Sequence, residues 1–91
     1  MRLEWTTDAL SDLERIHDFL AVVNPSAAAK AVRSLIQAPE RLVEHPRLGE
    51  RIEQYSPLEI RRIIIGRYEI RYEINDKVIS ILHLFHTREN R

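Results

Sequence analysis

Four residues in the second half of this chain have side chains suited to work on an anion: Arg62, Arg71, His86 and Arg88. Arginine presents a planar, permanently charged fork that matches phosphate or carboxylate, and histidine exchanges a proton near neutral pH. If the four converge they form an anion pocket, or a site in which the arginines hold a phosphate while His86 serves as acid or base. Their convergence is a question of strand register.

Ile60 to Arg88 reads as three short strands joined by two tight turns. Gly66-Arg67 and Asn75-Asp76 suit two-residue turns, because Gly and Asn tolerate the positive φ that such turns need. Counting outward pairs Ile65 with Tyr68, Ile63 with Ile70, Tyr72 with Ile79 and Ile70 with Ile81, which makes one face almost wholly apolar. Strand side chains repeat every two residues. The other face therefore collects Ile60, Arg62, Ile64, Glu69, Arg71, Glu73, Ser80, Leu82, Leu84, His86 and Arg88.

On that face Arg62 lies across from Arg71, a like-charge pair that destabilises unless something offsets it. Two readings stand side by side. Glu69 and Glu73, as diagonal neighbours, neutralise a solvent-exposed ladder, or the arginines bind an external anion. Arg61 points toward the helices, and its head group is expected to snorkel to an edge. Ile60, Ile64, Leu82 and Leu84 form an apolar strip that the chain's own helices leave uncovered, with only Glu89, Asn90 and Arg91 following Arg88. Such a strip implies a partner.

The remaining histidines point away from metal chemistry. His83 and His86 are three apart on a strand and project to opposite faces, so they cannot chelate together. His17 falls on a helix stripe as a core-edge residue, and His45 precedes Pro46 in a loop. Cysteine is absent, which removes disulfides and thiolate sites and suits a reducing compartment. No glycine-rich phosphate loop, nucleophile elbow or metal-hydrolase motif occurs, so no cofactor is expected.

The elements that position these residues follow from pattern. Leu3 and Trp5 alternate with Arg2 and Glu4 in a short strand. Thr6 or Thr7 caps a first helix whose stripe is Leu10, Leu13, Ile16, His17 and Leu20. Asn24-Pro25 starts a second helix with Ala28, Val32, Leu35, Ile36, Leu42 and Val43 as its buried stripe, and the short link makes an antiparallel hairpin. Pro39 should bend or split that helix near Ala38. About 45–57 reads as a long connector around Pro46, Gly49 and Pro57. The fold class is α+β: an N-terminal strand, a helical hairpin, then a three-stranded antiparallel meander with the helices on one sheet face.

The bulk numbers agree with a small single domain over 1–91. Ninety-one residues at 44% apolar composition support one modest core. Fourteen basic residues balance fourteen acidic ones, which excludes a uniformly basic nucleic-acid wrapper, although twelve of the basic residues are arginine. No apolar run approaches the roughly 20 residues needed to span a bilayer, and no signal-peptide layout is seen, so a soluble, cytoplasmic domain is expected.

Several motifs taken together resemble the RelE/ParE superfamily, the toxin half of bacterial type II toxin-antitoxin modules, over essentially the whole chain. They are Ala9-x-x-Asp12-Leu13-x-x-Ile16, Asn24-Pro25, Pro46-x-x-Gly49, Arg61 or Arg62 entering a strand, Gly66-x-Tyr68-x-Ile70-x-Tyr72, and His86-x-Arg88-Glu89. The resemblance implies growth inhibition countered by a cognate antitoxin of ParD-like or similar type, and a role in plasmid stabilisation. RelE-like members cut messenger RNA on the ribosome without a metal, whereas ParE-like members poison DNA gyrase without catalysis of their own.

Residue matching leans to the ParE-like branch. The nuclease branch carries an arginine after the hairpin tyrosine, where this chain has Glu69, a carboxylate that repels phosphate. Nuclease members also place further catalytic groups beyond the terminal strand. Arg62 and Arg88 match basic positions of the nuclease site, and His86 matches a histidine of some nucleases. The gyrase reading implies no catalytic residues; the ribonuclease alternative implies Arg62, Arg71, His86 and Arg88. In both, Ile60, Arg62, Ile64, Arg71, Leu82, Leu84, His86 and Arg88 are expected to meet the antitoxin, with arginines pairing to its acids.

Overall fold

A computed structural model describes residues 1–89. β1 (Arg2–Trp5) leads into α1 (Thr7–Val23) and α2 (Pro25–Gln37), followed by a 3₁₀ segment at Ala38–Val43. The caps are those the sequence offered. Thr6 Oγ1 accepts from Ala9 N at 3.1 Å, and Asn24 Oδ1 accepts from Ala27 N at 3.1 Å with Pro25 at the first helical position. α2 ends at Gln37, just before Pro39.

β3 (Glu59–Ile65), β4 (Tyr68–Asn75) and β5 (Val78–His86) form the meander. The sheet has five strands in the order β1-β5-β4-β3-β2, with β1 parallel to β5 and the other pairs antiparallel. β2 (Glu50–Arg51) lies inside what the sequence presented as a connector, and a strand of two residues leaves no alternation to detect. Ile16, Leu35, Leu42, Ile63, Ile70, Tyr72, Ile79, Ile81 and Leu84 meet in one core between the sheet and the helices. Leu10, His17, Ile36 and Val43, expected on the helix stripes, are exposed. Among the described residues no helix is long and apolar enough to cross a membrane.

The register departs from the count in two ways with different consequences. The first turn is as expected, with Gly66 at φ 60° and Ile65 opposite Tyr68. The second sits one residue later: Asp76 takes φ 56°, Asn75 stays in β4 opposite Val78, and Tyr72 pairs with Ile81 instead of Ile79. Asn and Asp tolerate this conformation alike, so local preference does not choose between them. A one-residue move of the turn shifts every partner by two, which leaves the faces unchanged.

The second departure does change the faces. Between the pairs Tyr72↔Ile81 and Arg71↔His83 the strand holds an extra residue, Leu82, so β5 bulges there. Beyond the bulge the parity of β5 is inverted. Leu84 now lies opposite Ile70 and is wholly buried in the core, and His86 lies opposite Tyr68 on the helix side. The bulge sits where β1 stops and the chain turns into α1. There Thr6 Oγ1 donates to the carbonyls of Ile81 and Leu82 at 2.7 and 3.2 Å, and Asp12 Oδ2 accepts from Leu84 N at 3.0 Å.

Candidate functional site

The open face of the sheet carries the arginine ladder. Arg62 and Arg71 are direct cross-strand partners. Glu69 lies between their charges: Arg71 Nε donates to its Oε2 at 2.7 Å, and Arg62 Nη1 is 4.0 Å from its Oε1. Glu69 is only 8% exposed. Arg62 Nη2 also donates to Glu50 Oε1 at 3.0 Å, which brings the short β2 strand into the ladder. Arg71 Nη1 reaches the Tyr55 hydroxyl at 3.3 Å, and its guanidinium carbon stands 4.9 Å from the centroid of the Phe85 ring. The ladder thus balances its charges internally while leaving Arg62 partly accessible.

The apolar strip beside it is narrower than expected. Ile64 is 54% exposed, and Leu82 is half-buried. Ile60, at 8% exposure, is covered, and Leu84 belongs to the core because of the bulge. Phe85 takes up the inverted parity opposite Glu69 and packs under Arg71. Two residues expected with Arg62 are on the other side. His86 packs edge-on against Tyr68 with ring centroids 5.5 Å apart, and Arg88 lies in the turn beyond it. Arg62 and Arg71 are therefore brought together, while His86 and Arg88 form a separate group beside α1.

That second group lines a cleft of about 500 Å³ with Arg15, Ile16, Phe19, Tyr68 and Glu89. The sequence signal for it lay in α1, where Phe19 falls off the buried stripe and is exposed. His83, meanwhile, turns to Asp12, with Nδ1 3.1 Å from Oδ2. Among the described residues no three His, Cys, Asp or Glu side chains stand close enough to hold a metal ion.

The connector supports the ladder from the β2 edge. Tyr72 is buried in β4, and its hydroxyl donates to Pro46 O at 2.7 Å while accepting from Gly49 N at 3.0 Å. Burial pushes this phenol above its ordinary value of 10, which keeps the donating proton in place. Arg61 Nη1 donates to Gly49 O at 2.7 Å, and Arg61 Nε to Glu59 Oε2 at 2.8 Å. Glu59 also accepts from Arg47, and the bonds from Arg61 and then Arg47 hold its carboxyl below the ordinary 4.5. Arg61 thus snorkels to an edge, as expected. Gly49 is required by contact: a Cβ there would stand 2.5 Å from Arg62 O and 2.7 Å from the Tyr72 hydroxyl.

The known proteins similar to this chain come from toxin families and toxin-antitoxin systems. The family model described as "ParE toxin of type II toxin-antitoxin system, parDE" matches residues 3–91. The chain is 32% identical over 82 residues to Toxin RelE2 of Caulobacter vibrioides, a match covering 90% of each chain. Among solved structures it is similar to one of the chromosomal ParDE toxin-antitoxin system from P. aeruginosa, at 26% identity and TM-score 0.81, covering 94% of this chain and 95% of that one. The fold is also shared with the RelBE2 toxin-antitoxin complex of Mycobacterium tuberculosis, at 23% identity and TM-score 0.59, covering 93% and 95%.

Proposed function

The chain belongs to the ParE toxin family of type II toxin-antitoxin systems, and from that premise we propose that its target is DNA gyrase, inhibited by binding and not by catalysis. The observation that carries this reading is Glu69. Its carboxylate is 2.7 Å from Arg71 and 4.0 Å from Arg62, in the space a scissile phosphate would need. Displacing a buried carboxylate from two guanidiniums, and leaving it against a phosphate, is unfavourable on both counts. The four residues of a ribonuclease site also fail to converge, since His86 faces the helices and the arginine pair faces outward.

The partner that neutralises the toxin is a cognate antitoxin, and the open face suits it. Ile64 and Leu82 supply apolar contact, and Arg62 can donate to an acidic side chain that takes the place of the exposed Glu50, while Glu69 stays paired with Arg71. Arg71 is held from behind by Phe85 and Tyr55, so it is presented in a fixed orientation.

A second reading, ribosome-dependent cleavage of messenger RNA, draws on the 32% identity to a protein named Toxin RelE2 and on the facing pair Arg62 and Arg71. Purified toxin added to a gyrase supercoiling assay and to a ribosome-bound messenger cleavage assay separates the two. The expected outcome is loss of supercoiling with messenger left intact. Messenger cleavage abolished by Arg62→Ala in a folded variant would replace the gyrase assignment.

A further inference from the structure

We propose that the cleft between α1 and the end of β5 is a second protein-docking site, receiving a peptide segment of another protein that presents a carboxylate beside an aromatic or long aliphatic side chain. The site lies on the helix side of the sheet, whereas the arginine ladder is on the opposite face, so both surfaces are available at once. The inference does not depend on gyrase being the target.

The argument starts from a carboxylate already in place. Glu89 Oε1 accepts from Arg15 Nη1 at 3.1 Å and from His86 N at 3.0 Å. The turn that folds it back is closed by Glu89 N donating to His86 O at 2.9 Å and Arg88 N donating to His86 Nδ1 at 3.1 Å. The Arg15 guanidinium and the His86 N–H thus hold this carboxylate together, a receptor filled from within the chain. Arg15 is steadied from behind, with Nη2 3.4 Å from Leu84 O and 3.7 Å from Asp12 Oδ1.

Beside this receptor the walls are apolar. Ile16 and Tyr68 line the cleft, and Phe19, 77% exposed, forms its lip. A space of about 500 Å³ accepts one or two large side chains. Charge decides between ligand classes. Arg15 pairs with both Glu89 and Asp12, so exchanging Glu89 for a partner's carboxylate leaves the local balance unchanged, whereas a doubly charged phosphate beside Asp12 upsets it. Glu89 acts as an internal competitor that a partner must displace.

The test titrates the purified chain with the capped tripeptide acetyl-Glu-Phe-Glu-amide, the uncharged acetyl-Gln-Phe-Gln-amide, and uridine monophosphate, following the amide resonances of Phe19, Tyr68 and His86. The acidic peptide should give saturable shifts. Glu89→Gln should bind it at least about threefold tighter, because the competitor keeps its shape and loses its charge. Arg15→Gln should bind it roughly tenfold more weakly at an unchanged melting temperature, and the glutamine peptide should be weaker by a similar factor. Should Arg15→Gln fail to fold, the Glu89→Gln comparison still decides. No saturable shift in either protein, equal affinity in wild type and Glu89→Gln, or tighter binding of uridine monophosphate would each overturn the proposal.

Discussion

Along the β2 edge of the sheet the connector is held by buried, close-fitting groups, whereas the end of β5 that β1 leaves unpaired is finished by side chains of α1, its cap and the turn after β5. At the first, Gly49 lies so near Arg62 O and the Tyr72 hydroxyl that no side chain fits, and its N–H and C=O are both used by β-strand residues. At the second, β1 stops at Trp5, and Thr6, Asp12, Arg15 and Glu89 satisfy the backbone groups of Ile81 to His86 that a neighbouring strand would otherwise take. Both edges are protected against unwanted pairing. They differ in what a partner could displace: Arg15 and Glu89 are partly accessible and exchangeable, while the Gly49 contacts cannot open without moving backbone.

The sharpest way to break this comparison is at the bulge that inverts β5. Leu84→Ala should destabilise by about 2–5 kcal/mol in urea unfolding, because it empties a fully enclosed core position. Ile64→Ala, on the open face, should stay within about 0.5 kcal/mol. Without Leu82 as the extra residue the two side chains would share the open face, and the two costs would be alike.

At the pinned edge, Gly49→Ala comes next in size, at about 1–3 kcal/mol measured the same way. The clash is with the Arg62 carbonyl and the buried Tyr72 hydroxyl, neither of which is the free end of a flexible side chain. The substitution should also lower affinity for the antitoxin, since Glu50 and Arg62 are paired next to the displaced backbone.

Much of this frame was legible in the residues. Gly66 fixed the first hairpin, Thr6 and Asn24-Pro25 fixed the helix starts, and Pro39 fixed the end of α2, because each acts through local backbone chemistry. Arg62 opposite Arg71 followed from that hairpin alone. Everything beyond Leu82 was not legible, and with it the placement of Leu84, His86 and Arg88. A bulge costs one residue and leaves no alternation error until the far side, where Leu84 and Phe85 are both apolar and mask the change of parity. β2 escaped for a related reason: its two residues are charged and its pairing is set by the tertiary contact at Gly49.

The smallest effect is electrostatic and confined to the pinned edge. Glu59 is held below its ordinary 4.5, first by the bond from Arg61 and then by Arg47. A carboxylate with a depressed folded value contributes stability that is complete above the unfolded value and is lost as pH falls through the folded one. Wild type should therefore exceed Glu59→Gln by about 1 kcal/mol at pH 7 in urea unfolding. The gap should hold down to about pH 5, narrow below 4.5 and close in stronger acid, since protonated Glu59 and glutamine then carry the same charge. A gap that stayed constant through the acid range would show that Glu59 acts through packing, and the β2 edge would then owe its rigidity to Gly49 and Tyr72 without help from the ion pairs.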